Sequence, residues 1–452
     1  MGSHAKPTAL FKALGDKLRI DDHAPDAIRH AGAMAWVAAL LCALFAVFEP
    51  SSVRFWSAYL AAFCFLLSIS LGGLFFVLIQ HLTRAGWSVV VRRVAELIAA
   101  NMVVVAVLFL PLIYPISKGY LQPAAKYGLS SEAVAHGAAA AGHEQAEHAA
   151  PAAHGEQAHG DEWTTGPHLP KAKHHTMASS KASWLSFWPF MGRMFGCFFI
   201  WILISRFYLG QSVAQDVSKD PAVTNRLQAF SALGVLLFAL TTSLAAFDLL
   251  MALDPYWYST MFGVYFFAGS FLSFFAALNL VLFLLRRKGV AGEAINPEHY
   301  QDTGKFMFAF TVFWAYIGFS QYMLIWYGNI PEETGWFFIR QQGGWLWISA
   351  LLIVAHFVVP FLLVMSRWPK RQPALLALLS VYVLCVHFMD MFWLVQPQKC
   401  PLGVVPVPLM DIFLALTLVG VYAIALVKSM VGVNVIPTGD PRLIESVHFH
   451  NQ

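Results

Sequence analysis

The sequence predicts an all-α polytopic membrane protein with about ten transmembrane helices. The chain of 452 residues is 58% hydrophobic and only 12% charged, against roughly 25% charged residues in soluble domains. Crossing the hydrocarbon core of a bilayer takes about 20 apolar residues in a helix, and runs of that length recur from residue 31 to residue 430 with one polar interruption. This pattern indicates one membrane domain that carries one large loop.

The apolar runs predict where each helix crosses the membrane. The expected spans are 31–48, 56–80, 95–115, 184–208, 229–252, 258–285, 306–328, 345–367, 374–396 and 408–430. The chain then divides into an N-terminal segment (1–30), a membrane helical domain (31–430) with a long His/Ala-rich loop inserted in it (116–183), and a C-terminal tail (431–452).

The lysines and arginines predict the orientation of these helices. Most of them fall in the two termini and in the loops on the same side, whereas the other short loops hold only Arg54, Arg340 and Lys399. Because positively charged short loops stay in the cytoplasm, both termini are expected to be cytoplasmic and the long loop periplasmic. The first apolar run lacks a signal-peptide cleavage pattern and is expected to anchor the chain. The net charge of +4 gives no reason to expect nucleic acid as a partner.

The cysteines and histidines limit which redox groups this chain can hold. Its five cysteines form no CxxC or CxxCH motif, so neither an iron–sulfur cluster nor a covalently attached haem is expected. The histidines of the long loop lack regular ligand spacing, so no metal site is predicted there. His356 and His387 lie on adjacent antiparallel helices, at depths that differ by about 4 to 5 Å. Two separately hydrogen-bonded histidines are therefore expected in place of a bis-histidine haem.

Ionisable residues inside the predicted spans are the candidates for function, because an unpaired charge at the bilayer centre costs at least about 2.5 kcal/mol. They are expected in two layers, one near each face, with His356 between them. The candidates for proton transfer are Asp248, His387, Asp390, Asp411, Glu96, His81 and His356. The candidates for charge pairing or for contact with a quinone headgroup are Arg193, Arg92, Arg93 and Asp254. Arg193 and Asp248 are expected to pair, and His387 and Asp390 share a helix face.

Three stretches of the chain resemble a known family. They are HLTRAGWSVVVRRVAE at 81–96, AFDLLMALDPYWYSTMFGVYFFAG at 246–269, and SQYMLIWYGNIPEETGWF at 320–337. These sequences are similar to those of the membrane subunits of alternative complex III, within the polysulfide-reductase-like superfamily. The resemblance implies two four-helix bundles, spans two to five and six to nine, plus two peripheral helices.

The resemblance also implies a function and partners. Such a complex oxidises quinol in the bacterial inner membrane and passes electrons to cytochrome c or another acceptor through haem c and iron–sulfur subunits. This chain is then a partner of those subunits, of a paralogous membrane subunit and of lipid. It is expected to contribute proton conduction or quinone binding, with a quinone as its one conceivable cofactor and with no covalently bound group. Two alternatives stay open, a purely structural scaffold subunit and a secondary transporter, the latter disfavoured by a comparatively apolar midplane.

Overall fold

The computed structural model describes residues 15–48, 52–121, 183–254, 257–292, 294–400 and 402–450. Ten helices within these residues are long and apolar enough to cross a membrane, which confirms the predicted fold class. They are α1 (Ala24–Val47), α2 (Val53–Leu82), α3 (Val89–Ser117), α4 (Phe187–Ser218), α5 (Pro221–Leu253), α6 (Phe262–Arg287), α7 (Pro297–Gly328), α8 (Gly344–Met365), α9 (Pro373–Gln398) and α10 (Leu409–Met430). The His-rich part of the long loop lies outside the described residues.

Several helices begin earlier than the apolar runs suggest, and α7 shows why. Its apolar run starts near residue 306, but the helix starts at Pro297. The Asn296 side chain accepts hydrogen bonds from the backbone N–H groups of Glu298 and His299, and proline suits the first helical position, where an N–H has no intrahelical partner. Because of this cap, the helix includes polar residues before the apolar run that hydropathy alone would leave outside it.

The helices form the two four-helix bundles implied by the resemblance. In the first bundle α2 packs against α3, α3 against α4, α4 against α5 and α5 against α2. In the second bundle α6, α7, α8 and α9 close a ring in the same way. The two rings meet mainly through α2 and α6. The outer helices α1 and α10 pack against each other, and α10 also packs against α2, as expected for the peripheral pair.

Both described terminal segments lie on one side of the helices, here called the terminal face; the opposite side is called the loop face. The backbone N–H of Val435 donates to the carbonyl of Leu18, and that of Gly432 donates to the Asp21 carboxylate. Val435, Ile436 and Leu443 are at most 2% exposed. The segment 431–450 is thus a packed part of the membrane domain, where the sequence suggested only a tail.

Close contact between the two bundles predicts the effect of a substitution at Gly72. A Cβ atom there would lie 2.4 Å from both the Cβ of Phe274 and the carbonyl oxygen of Ser270 on α6. Gly72→Ala should therefore destabilise the protein by about 1–3 kcal/mol through overpacking, measured by thermal unfolding of the detergent-solubilised chain. The control is Gly196→Ala, where a Cβ meets nothing within 4 Å. Equal unfolding temperatures for the two variants would contradict the packing described.

Candidate functional site

The terminal face holds a buried network of charges. Arg92 donates to Glu96 at 3.3 Å and to Asp440, while Arg93 donates to Glu96 at 3.1 Å and to Asp216 at 2.9 Å. Both guanidinium groups and the Glu96 carboxylate are at most 1% exposed. The network joins α3, α4 and the C-terminal segment. Its positive and negative charges pair with each other within the protein, so its first role is to hold these elements together.

His81 lies beside this network and differs from it. Its imidazole is 1% exposed and packs against the ring of Tyr208 at a centroid distance of 5.3 Å. Neither ring nitrogen finds a hydrogen-bond partner among the described residues. His81 is therefore buried near the terminal face with its hydrogen-bonding capacity unused.

The loop face holds two ion pairs. Arg193 on α4 donates to Asp248 on α5 at 2.7 and 3.0 Å, which confirms the pair expected from the sequence. Asp411 on α10 is paired with Arg54 of α2, and Gln396 also donates to Asp411 at 2.7 Å. Each pair joins neighbouring helices and satisfies carboxylate oxygens that the membrane interior cannot solvate.

Two further polar groups lie near the loop face. Asp254 accepts a hydrogen bond of 3.3 Å from Gln398. The Arg340 guanidinium is buried 3.3 Å from the centroid of the Trp336 ring, and it donates to the backbone carbonyls of Trp336 and Leu394. Arg340 lies within electrostatic range of Asp390. It thus brings a positive charge close to the middle of the second bundle.

A third group lies between the two faces, in the second bundle. His356 on α8 with His387 and Asp390 on α9 are at most 1% exposed. His387 is 14 residues from Pro373 and 11 from Gln398, so at 1.5 Å per residue it lies roughly 17 to 21 Å from either end of α9. We call these three residues the central cluster. The sequence placed both His387 and Asp390 in a layer near the loop face. His387 instead lies near the middle of α9, whereas Asp390, 8 residues or about 12 Å from Gln398, lies in the half of the helix toward the loop face.

Asp390 in the central cluster accepts a hydrogen bond at each carboxylate oxygen. The Tyr265 hydroxyl donates at 2.6 Å and the Trp314 indole N–H at 3.1 Å. These donors come from α6 and α7, so three helices fix the carboxylate. His387 instead contacts the Ser68 hydroxyl of α2 at 3.0 Å. The two residues share a helix face, as expected, but they bond different partners.

The His387 tautomer is assigned from the hydrogen bonds of Ser68. Ser68 donates its one hydroxyl hydrogen to the carbonyl of Phe65 at 2.7 Å, so toward His387 the hydroxyl oxygen accepts. Nε2 of His387 is then the N–H donor, an assignment made from the hydrogen-bond network. Nδ1 keeps its lone pair, and it has no partner among the described residues. The central cluster thus presents an unused hydrogen-bond acceptor.

His356 corrects part of the expectation of two separately hydrogen-bonded histidines. Neither of its nitrogens has a partner among the described residues. Its ring lies 5.9 Å from that of His387 and 3.9 Å from that of Trp314, measured between centroids. It lies in a π-helical turn, Ile353–Val358.

The three side chains of the central cluster converge on one point. One ligand atom from each residue lies within 4.8 Å of the others, and an oxygen at about 2.8 Å from all three makes ordinary hydrogen bonds. Two imidazoles and a carboxylate can also ligate a metal ion. Metal-bound histidines almost always donate their second nitrogen to a protein partner, and His356 has none among the described residues. The geometry therefore suits a hydrogen-bonded oxygen better.

Several contributors to these sites were not predicted from the sequence. Arg54 and Arg340 were counted only as loop charges, although both are buried. Tyr265 and Trp314 look like ordinary aromatic residues of apolar helices. Asp440 lay in the expected tail. The sequence offers one signal for such residues, namely an arginine close to the end of a predicted span, since a charge inside the membrane needs a partner within the protein.

Asp440 provides a test of the terminal network. Asp440→Asn should destabilise the protein by about 3–5 kcal/mol, because Arg92 then stays buried with only the Glu96 carboxylate, which it shares with Arg93. Thermal or denaturant unfolding of the solubilised protein measures the loss. The matched control is Asp26→Asn, whose ion pair with Arg29 is exposed and whose loss should not be measurable. A small effect at Asp440 would show that the network contributes little.

The effect of Asp440→Asn should also depend on pH. Burial alone raises the pKa of the Asp440 carboxyl, but the Arg92 and Arg442 guanidinium groups lower it well below its usual range. A carboxylate whose pKa is depressed by folding stabilises the protein above the unfolded pKa of about 4 and loses that contribution as the pH falls. The stability difference between wild type and Asp440→Asn, large at pH 7, should shrink below about pH 4.

No protein-family model matches the chain, and no curated protein matches it either. What the chain does is therefore inferred from its own residues and from the wording of the three stretches at 81–96, 246–269 and 320–337.

Proposed function

We propose that this chain is an integral membrane subunit of a quinol:electron-acceptor oxidoreductase, and that its own contribution is proton transfer at the central cluster. The observation that carries the proposal is the unused acceptor. Among the described residues, His387 Nδ1 and both nitrogens of His356 lack hydrogen-bond partners although both side chains are buried, whereas the buried carboxylates near both faces are paired. Titratable groups held in this state at depth are typical of proton relays.

The chemistry of quinol oxidation suits such a site. Oxidation of one quinol to quinone releases two protons and two electrons. In the proposed complex the electrons pass to iron–sulfur and haem c centres of partner subunits, and the protons need an acceptor. His387 Nδ1 and the Asp390 carboxylate can each accept a proton from a hydroxyl within hydrogen-bond reach. Tyr265 and Trp314 hold Asp390 in place while it does so.

Buried polar groups lie between the central cluster and each of the two faces. Arg340, Asp254 and Gln398 lie between Asp390 and the loop face, and His81 with Glu96 lies toward the terminal face. We place the terminal face in the cytoplasm of a bacterial inner membrane, because most lysines and arginines of the short loops lie there. The sequence favours the second of the two related large membrane subunits of such a complex. This chain would then contact its paralogue and lipid.

A purely structural subunit is the second candidate, and the ion pairs favour it. The networks around Arg93, Arg193 and Arg54 join helices whether or not they move protons. A secondary transporter fits less well, although the argument from an apolar midplane does not hold now that the central cluster lies there. Transporters of that class use helices broken at the binding site, whereas α8 continues through its π turn.

Asp390→Asn in the complex purified from native membranes tests the proposal. We expect quinol-dependent reduction of the acceptor and the accompanying proton release to fall at least tenfold, because general acid–base groups typically contribute 10²–10⁴ in rate. His387→Gln should have a similar effect. Stopped-flow absorbance of the acceptor and a pH-indicator dye measure the two quantities.

The control for this test is Thr242→Val, which removes a buried hydroxyl of α5 in the first bundle. It should leave both rates unchanged. The subunit composition of every variant is checked by gel electrophoresis. This distinguishes a variant that fails to assemble from one that assembles but has lost activity. Full rates and full proton yield in assembled Asp390→Asn complexes would leave only the structural role.

A further inference from the structure

An open groove runs along α7 at the terminal face. Its volume is about 310 Å³, and it is lined by Trp87, Asp302, Lys305, Phe306 and Ala309. The apolar run of α7 begins at Phe306, so Asp302 and Lys305 lie at the polar end of the groove. Ala309 is exposed one turn further along the same helix. The groove therefore extends from polar residues of the terminal face toward the hydrocarbon of the bilayer.

A stack of aromatic rings gives the groove a fixed apolar wall. The Trp87 and Phe306 rings are nearly parallel, with a centroid distance of 5.9 Å and an interplanar angle of 16°. The Phe306 ring in turn stacks on Phe275 of α6 at 5.1 Å. The Ser446 hydroxyl donates to the backbone carbonyl of Trp87 at 2.6 Å. Both lining rings are thus held in place by the surrounding protein.

Four basic residues lie around the polar end of the groove. They are Lys305 on α7 and Arg367, Lys370 and Arg371 on the short helix between α8 and α9. Lys305 pairs with Asp302 at 2.8 Å, and 48% of its side chain is exposed. Arg371 pairs with Glu298 at 2.6 Å. The basic residues outnumber the acids with which they pair, so this end of the groove is positively charged.

The position of Lys370 shows how close these cations are. Its side chain packs on α7 at Gly304, where an added Cβ atom would lie 2.7 Å from Lys370 Cγ. Its ammonium donates to the Met365 carbonyl at 3.0 Å. Burial lowers the pKa of this ammonium, and the charges of Lys305 and Arg367 lower it further. Cations from two helices are therefore near enough to repel one another, and an anion beside them would relieve that repulsion.

The surface next to these cations is apolar and faces the bilayer. Leu362, Met365 and Trp368 are 55–66% exposed. A phosphate above an apolar chain matches this arrangement, because the cations attract the phosphate and the apolar surface contacts the chain. Basic pockets between transmembrane helices on the cytoplasmic side bind anionic lipid headgroups in this way. A small soluble anion would use the charges alone and would leave the groove empty.

We propose that this groove binds an anionic phospholipid of the bilayer. The headgroup phosphate contacts Lys305 and Arg367 at the terminal face. One acyl chain lies in the groove along Trp87, Phe306 and Ala309. The bound lipid then contacts both α7 of the second bundle and the residues that lead into α3 of the first bundle. The proposed site is independent of proton transfer at the central cluster.

The test is a lipid titration of the purified full chain in detergent, with bound lipid measured by native mass spectrometry. Phosphatidylglycerol should bind several-fold more tightly than phosphatidylethanolamine with the same acyl chains, because only the former carries a net negative charge. The double variant Lys305→Gln/Arg367→Gln should weaken phosphatidylglycerol binding about tenfold, since each cation near an anionic headgroup contributes about fivefold.

The matched control is Arg226→Gln, which removes an exposed arginine of the terminal face on α5. Its affinity for phosphatidylglycerol should equal that of wild type, and size-exclusion chromatography checks that every variant is folded. Equal affinities for the two lipids in wild type would overturn the proposal, as would a loss of binding in Arg226→Gln as large as that in the double variant.

A second variant tests the groove separately from the charges. Ala309→Trp fills the groove and should weaken phosphatidylglycerol binding about fivefold, because the acyl chain loses its apolar contacts. Ala232→Trp adds the same ring at an exposed position of α5 and should have no effect. Millimolar inorganic phosphate should not displace the lipid. Full displacement by phosphate, or wild-type affinity in Ala309→Trp, would mean that the site binds a soluble anion and that the proposal is wrong.

Discussion

Inside a bilayer a charged side chain has no water to solvate it, so its partner must come from the protein itself. Several helix contacts follow from this constraint. Arg93 joins α3 to α4 through Asp216, Arg193 joins α4 to α5 through Asp248, and Arg54 joins α2 to α10. Together with close packing of small residues, as at Gly72 against α6, these polar contacts specify which helices are neighbours.

The central cluster departs from the rule that buried polar groups find partners within the protein. The paired carboxylates near the faces are matched by arginines, but His356 and His387 keep ring nitrogens without partners among the described residues. Leaving a buried polar group unsatisfied costs about 1–3 kcal/mol. The proposed proton transfer gives the unpartnered nitrogens of His356 and His387 a role.

Hydropathy predicted the ten helices because lipid imposes a simple length requirement on each. It did not predict where α7 begins, because the cap at Asn296 extends the helix through polar residues. The Arg193–Asp248 pair was predictable, since one cation and one acid lay at matching depth on consecutive helices. The C-terminal segment was not, because Asp440 and Arg92 are separated by 348 residues and no local pattern links them.

The central cluster was only half predictable. His387 and Asp390 share a face of one helix, and helical periodicity reveals that. His356 lies in a π turn, and the direction of a side chain in such a turn cannot be read from spacing alone. Trp314 and Tyr265 could not be distinguished in advance from the many other aromatic residues. A cluster assembled from four helices depends on their rotation, which the sequence encodes only through the whole packing.

The central claim is that the central cluster accepts protons released by quinol. A redox-induced infrared difference spectrum of the purified complex, recorded with quinol and with quinone, tests it most directly, because a carboxyl group that gains a proton shows a C=O band above about 1,700 cm⁻¹ that the carboxylate lacks. The account predicts such a band in the wild type and its loss in Asp390→Asn, with His387→Gln altering imidazole bands. Identical difference spectra for wild type and Asp390→Asn would contradict the claim.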